Sequence, residues 1–339
     1  MLTLKIDCSV GGIIRYCLIH KTQYLMQVPD EVKKCVVFIG CNTQQGVVWG
    51  GTGFFIGIEA DGFKGQYFNY LITAKHCIDA IKEQSTDQKV LIRINLKSNS
   101  IQTISSNLND WKFHPTEKSS VDVATLPWNP PEQFDYLTIP TDSMTLTDAL
   151  IKEQGIGAGD EVFLTGLFRM HSGTQKNLPI IRTGNIARMP EEKIPVKMYD
   201  GTRVDIDAYL IEGRSIGGLS GSPVFLYLGV IRNIDGSIKF VSGAKSGAFH
   251  WLGLTHGHWD IPEGTIDAIM DNTGNGNKSV NVGIAIVVPA QKVLEVVNQQ
   301  ELVKKRKHSI EQWKKPEKPS LDSTNSAEES NKTLKKVSQ

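Results

Sequence analysis

Short apolar runs rich in β-branched and aromatic residues recur along this 339-residue chain, and glycine or a polar turn ends almost every one of them. Cys35-Val36-Val37-Phe38-Ile39 is followed by Gly46-Val47-Val48-Trp49, by Gly53-Phe54-Phe55-Ile56-Gly57 and by Phe68 to Thr73. Val90 to Leu96 alternates apolar and polar residues from Ile92 onward. A second series begins at Glu161-Val162-Phe163-Leu164-Thr165-Gly166 and continues through Ile180 to Ala187, Asp207 to Ile211, Val224 to Leu228 and Asn281 to Val288. Strands at this spacing with Gly, Asn and Asp turns argue for an all-β chain of barrel type. Pro130-Pro131 and the stretch from Pro140 to Gly159 separate the two series, with a short helix expected over Leu146 to Glu153. The chain length also favours two cores over one.

One turn stands apart from the others. In Gly217-Gly218-Leu219-Ser220-Gly221-Ser222-Pro223, small residues surround a serine and lead at once into an apolar strand. Glycines let backbone N–H groups converge there without side-chain obstruction. Acyl transfer needs such a place: an exposed hydroxyl beside amides that hold a tetrahedral oxyanion. Serine is a weak nucleophile without a base and an orienting acid. Tyr70-Leu71-Ile72-Thr73-Ala74-Lys75-His76-Cys77 ends an apolar strand on a histidine. Ser120-Val121-Asp122-Val123-Ala124 sets one acid inside an apolar run, where a carboxylate requires a dedicated partner. Singly, each has a plain alternative: a strand-end histidine, a cap or turn aspartate, a turn serine. Ser222 is a rival nucleophile and Asp110 a rival acid, though the neighbours of Asp110 are polar.

Together, Thr-Ala-x-His-Cys, Asp-Val-Ala and Gly-x-Ser-Gly-Ser-Pro resemble the three signature segments of trypsin-like serine peptidases of the chymotrypsin fold, in that family's order. The likeness is to bacterial members that are not made as secreted zymogens, and it covers roughly residues 33 to 300. It implies two six-stranded antiparallel β-barrels, with His76 and Asp122 in the first and Ser220 in the second. It also implies a terminal helix, a catalytic set of His76, Asp122 and Ser220, and an oxyanion hole made by the N–H groups of Gly218 and Ser220. By family position, Arg214 to Gly217 form one wall of the primary substrate pocket and Gly253 to His258 the other. Arg214, Ser215, Thr255 and His256 are the pocket candidates. Arg214 or His256 would favour an acidic side chain before the scissile bond; the plainer alternative is a structural ion pair and surface-loop histidines. Leu219 departs from zymogen-type relatives, which place an acid there to bind a newly cut N-terminus, so the oxyanion loop must be held another way or ordered by a partner. Extracellular relatives pair the cysteine after the histidine with one near the Gly-Gly of the preceding strand, and Val48-Trp49-Gly50-Gly51 offers none. The implied activity is endopeptidase, with a protein or peptide as substrate and no cofactor. Two alternatives remain open: a protease-like peptide-binding module, and a latent protease opened by a partner.

Composition limits the other classes. The net charge is +1, so no overall field draws the chain to nucleic acid or membrane, and no apolar run nears the ~20 residues of a spanning helix. The five cysteines all fall in the first quarter and cannot all pair, which favours reduced thiols and a cytoplasmic setting. His250, His256 and His258 fit no standard metal spacing, even with Asp260 nearby. His114 reads as a loop residue. Residues 1–25 show no periodicity and read either as an extension without fixed structure or as untranslated sequence before a start at Met26. The expected organisation is 26–140 for the first barrel, 141–303 for the second with the terminal helix, and 304–339 for a disordered charged tail opening on Lys304-Lys305-Arg306-Lys307. Oligomeric state leaves no mark in the sequence.

Overall fold

The computed structural model describes residues 28–213, 218–229, 231–234, 237–240, 249–262 and 279–314. The expectations for residues 1–25 and for the tail beyond 314 lie outside these described residues.

The first half is one strongly connected sheet. Its strands are β1 (Val36–Thr43), β2 (Gly46–Ala60), β3 (Phe63–Thr73), β4 (Lys89–Asn95), β5 (Ile101–Asn107), β6 (Lys112–Phe113), β7 (Ala124–Pro127) and β8 (Ile139–Pro140). Their order is β5-β4-β1-β2-β3-β7-β6, and β8 adds beside β2 in parallel, with Ile56 opposite Ile139. Eight strands thus stand where six antiparallel ones are implied by the family resemblance. The helix α1 (Lys75–Gln84) leaves the end of β3.

A crossing segment follows. It holds the short helices α2 (Thr141–Met144) and α3 (Asp148–Gln154), the latter overlapping the Leu146 to Glu153 stretch expected to be helical. Thr147 caps α3 by accepting from the Leu150 N–H at 3.2 Å, and Gly155 ends it in the left-handed conformation, φ 57°.

The second half contains β9 (Glu161–Gly166), β10 (Ile180–Arg188), β11 (Ile194–Lys197), β12 (Arg203–Ile206), β13 (Tyr209–Glu212), β14 (Pro223–Tyr227), β15 (Ile231–Ile234), β16 (Ser237–Phe240), β17 (Phe249–Pro262) and β18 (Ser279–Pro289). Six of these close a barrel in the order β10-β13-β18-β17-β14-β9, while β11-β12 and β15-β16 form separate hairpins. The protein is therefore all-β in class.

Side-chain alternation explains how the halves join. Successive residues of a strand face opposite sides. Along β2 and β3, Phe55 and Leu71 enter the core of the first half, with Val37, Ile39, Ile92 and Trp111. Phe54, Ile56, Tyr70 and Ile72 enter a second core shared with Phe163, Phe225, Trp251, Leu254 and Val288 of the barrel. Trp251 is fully buried and meets Phe54 edge-on at 5.8 Å between centroids. Rings that bury this much area contribute more than most aliphatic contacts, so the halves are fixed to each other by packing as well as by chain connection.

Two helices close the chain over this core, α4 (Ala290–Val297) and α5 (Gln300–Trp313). Residues 304–313, expected to open the tail, belong instead to α5, which packs on the first half. Ile310 is buried, Trp313 stacks on Phe68 at 5.1 Å, and Arg306 donates to the Tyr70 hydroxyl and the Val297 carbonyl, each at 2.7 Å. Arg306, Ile310 and Trp313 lie four and three residues apart and define one face of an otherwise polar segment. No helix among the described residues is long and apolar enough to cross a membrane.

Candidate active site

The site is assembled around the start of α1. Its N-cap residue, Ala74, has no side chain able to accept the free N–H groups of a helix start. Asp122 supplies that acceptor from the segment just before β7. Its Oδ1 accepts the His76 backbone N–H at 2.8 Å, and its Oδ2 accepts from the His76 ring Nδ1 at 2.7 Å. The carboxylate thus caps the helix, benefits from the helix dipole, and fixes the imidazole in the tautomer with a proton on Nδ1. His76 Nε2 is left as the basic nitrogen.

Asp122 has a second partner on the same oxygen. His256, on β17, brings its Nδ1 to within 2.5 Å of Asp122 Oδ2. A carboxylate only accepts, so both rings present N–H groups to it. The rings of His76 and His256 stand edge-on at 5.5 Å. The sequence reading placed His256 on a pocket wall; the structure turns its Nδ1 onto Asp122. No local signal marks this contact, because the two residues lie in different halves.

Electrostatics follow from this arrangement. Asp122 is buried, which favours its neutral form, yet the two imidazoles and their hydrogen bonds hold it below the usual carboxylate range. Burial likewise disfavours a charged His76, but the Asp122 charge outweighs that, with the Cys77 sulfur adding to it, and the His76 pKa stands well above that of an ordinary histidine.

Ser220 stands on the turn before β14. Gly218 (φ 102°) and Gly221 (φ 82°) both occupy the left-handed region that side chains avoid. A Cβ on Gly221 would also run into the Thr52 carbonyl and would come within 2.9 Å of the Ala74 nitrogen. The turn is held from two sides. On one, Thr52 donates its N–H to the Ser220 carbonyl at 2.9 Å and its hydroxyl to the Gly218 carbonyl at 2.8 Å. On the other, Gly221 N–H reaches the Thr255 carbonyl at 2.8 Å, and Thr255 N–H reaches the Ser222 carbonyl at 2.9 Å. Thr52 was not singled out by sequence, where it is one strand threonine among several. Leu219 is wholly buried in the second-half core, and the turn it belongs to is held by the Thr52 and Thr255 bonds.

Cys77 lies between the histidine and the serine turn, its Sγ 3.8 Å from both His76 Nε2 and the Ser220 carbonyl. Among the described residues, the Ser220 hydroxyl makes no hydrogen bond to the His76 ring. Cys35, Cys41 and Cys77 are all free thiols. A Cβ on Gly51 would stand 3.3 Å from that of Cys77.

The remaining candidates are quickly placed. Thr255 is fully buried and acts through its backbone. Ser222 is buried beneath the turn, and Asp110 accepts from the Asn107 backbone in a short 3-10 turn, remote in role from His76. Arg214 and Ser215 lie outside the described residues, as do the side chains of His258 and Asp260. Lys75 pairs with Asp79 one turn along α1 at 2.5 Å. His114, read as a loop residue, is buried and ties the halves together: Nδ1 accepts from Glu117 N–H at 2.9 Å and Nε2 donates to Glu295 on α4 at 3.0 Å.

Two groups of side chains have donor atoms close enough for a metal ion among the described residues, His76-Asp122-His256 and His114-Glu117-Glu295. Hydrogen bonds account for the geometry of the first. In the second, Lys292 already supplies a cation to both carboxylates, Glu117 at 3.3 Å and Glu295 at 3.2 Å.

No protein-family model matches the chain, and no curated protein does. Among solved structures, it is similar to the Rv3671c protease of M. tuberculosis. The active form shares 17% identity with a TM-score of 0.38, over 78% of this chain and 80% of that one. The inactive form shares 15% with a TM-score of 0.36, over 78% and 88%.

Proposed function

We propose that this protein is a serine-type endopeptidase, acting on protein or peptide substrates through His76, Asp122 and Ser220. The observation that carries the reading is the pair of hydrogen bonds from His76 to Asp122, through ring and backbone, which leaves Nε2 basic on the side where Cys77 touches the serine turn. In this mechanism His76 takes the Ser220 proton as Oγ attacks a peptide carbonyl, and the acyl-enzyme forms. Asp122 stabilises the imidazolium without taking its proton. The N–H groups of Gly218 and Ser220 receive the oxyanion, His76 protonates the leaving amine, and water completes the cycle. No cofactor is needed for these steps.

Labelling of the full chain with a fluorophosphonate, located by mass spectrometry, tests this. An adduct on Ser220 that is lost in Ser220→Ala and falls by about three orders of magnitude or more in His76→Ala is the expected result. A folded protein that takes no label overturns it. The second reading, a peptide-binding module or a latent protease, is favoured by one observation: among the described residues Ser220 Oγ makes no hydrogen bond to His76. Such bonds often tighten only when substrate binds, which is why the first reading is preferred.

A further inference from the structure

A carboxylate oxygen that serves two imidazoles divides its pull between them. Asp122 Oδ2 meets His76 Nδ1 at 2.7 Å and His256 Nδ1 at 2.5 Å, while Oδ1 is taken by the His76 backbone. Both acceptor atoms are therefore engaged, and the His256 side chain is only 10% exposed. From this geometry we infer that His256 is a positioning residue for the proposed triad: it aims the Asp122 carboxylate from the second half and restrains how strongly that carboxylate holds a proton on His76. The inference rests on the serine-peptidase reading and deepens it, because it names what tunes the base.

The chemistry is direct. A neutral His256 donates its Nδ1–H to Oδ2 and draws off part of the carboxylate's charge. A protonated His256 does so more strongly and also opposes a second imidazolium on His76. In both states its presence makes His76 easier to deprotonate than it would be facing Asp122 alone. The titratable groups against this pair are Asp122 between the rings and Cys77, whose sulfur touches His76 Nε2. Lys75, next in sequence, has its charge paired with Asp79. The contact also crosses the two halves, so the aim of the carboxylate depends on their relative placement, which the shared core around Trp251 and Phe54 fixes.

The test reads the network without requiring turnover. Nitrogen-15 histidine spectra of the full chain, carrying Ser220→Ala, report the tautomer and titration of each ring, with His76→Gln and His256→Asn providing assignments. The expected result is a proton on Nδ1 of both rings. His256→Ala should raise the His76 pKa, and His256→Asn, which keeps a donor but does not titrate, should leave it near the parent value. In the enzyme with Ser220 intact, the acid limb of the fluorophosphonate labelling rate should move to higher pH in His256→Ala and return in His256→Asn. Thermal melts confirm that each variant is folded, and should Ala fail to fold, the comparison of parent with Asn and His256→Leu replaces it. A His76 titration unchanged in a folded His256→Ala or His256→Leu overturns the inference, as does a His256 ring that carries no proton on Nδ1. Absence of labelling in the parent, with the spectral results as expected, would instead count against the catalytic reading while leaving the positioning contact in place.

Discussion

Thr52 makes four hydrogen bonds while fully buried, and three of them bear on the serine turn or its neighbour β9. Its N–H and hydroxyl hold the carbonyls of Ser220 and Gly218, its Oγ1 accepts from Leu167 N–H at 2.9 Å, and its own carbonyl accepts from Thr73 at 2.7 Å. Valine has the shape of threonine without the hydroxyl, so Thr52→Val would leave the Gly218 carbonyl and the Leu167 N–H buried and unpaired. Each such group costs about 1–3 kcal/mol, giving a loss of roughly 2–6 kcal/mol in a denaturant titration. Serine keeps the hydroxyl, and Thr52→Ser should retain most of the stability and most of the labelling rate at Ser220. If Thr52→Val labels as fast as the parent, the clamp is structural only. His256 belongs with Thr52 in one respect: each acts on a site residue far away in sequence. His76, Asp122 and Ser220 were legible because each sits in a local pattern with chemical meaning, namely a histidine after an apolar strand, an acid inside an apolar run, and a serine among glycines. Thr52 and His256 have no such pattern, and only the fold brings them to their partners.

At the scale of elements, β2 and α1 meet at a position that invites a covalent link. The Cβ of a residue replacing Gly51 would stand 3.3 Å from the Cys77 Cβ, close to the separation a disulfide requires. Gly51→Cys should therefore pair with Cys77 on oxidation. Closing a loop of this length restricts the unfolded chain and contributes roughly 3 kcal/mol. Melting temperatures with and without reductant measure it: the variant should lose stability on reduction and the parent should not. The same bond would draw the thiol away from His76 Nε2, so the labelling rate of the oxidised variant reports whether Cys77 contributes to the base. Equal melting in both conditions would mean that the glycine backbone cannot accommodate the bridge. The strand series was readable from apolar runs and the turn residues that end them. The continuation of α5 was not, because its polar face dominates a window average, whereas Leu302, Arg306, Ile310 and Trp313 repeat at helical intervals and carry the contacts.

For the whole molecule, the site is also part of the joint between its halves, and this sets stability and activity against each other in pH. The folded His76 pKa is raised, so its contribution to stability is fully present below about 6.5, the unfolded value, and is lost as pH rises through the folded value. The folded Asp122 pKa is lowered, so its contribution is present above the unfolded value of 3.8 and is lost as pH falls through the folded one. Both therefore act together between about pH 4 and 6.5. In that window His76 is an imidazolium and cannot accept the Ser220 proton. The joint should be clamped most firmly where the proposed chemistry is off, and labelling should rise only as pH passes the raised His76 pKa. Melting temperatures at pH 5 and pH 8, taken on the parent and on His76→Gln, separate this from the background of other groups. The parent should gain stability at pH 5 relative to pH 8 by more than the variant does, while its labelling rate moves the opposite way. An equal pH response in the two proteins would mean that the His76–Asp122 pair adds nothing to the joint, and the closure of the halves would then rest on the core around Trp251 and on contacts such as those of Thr52 and His114.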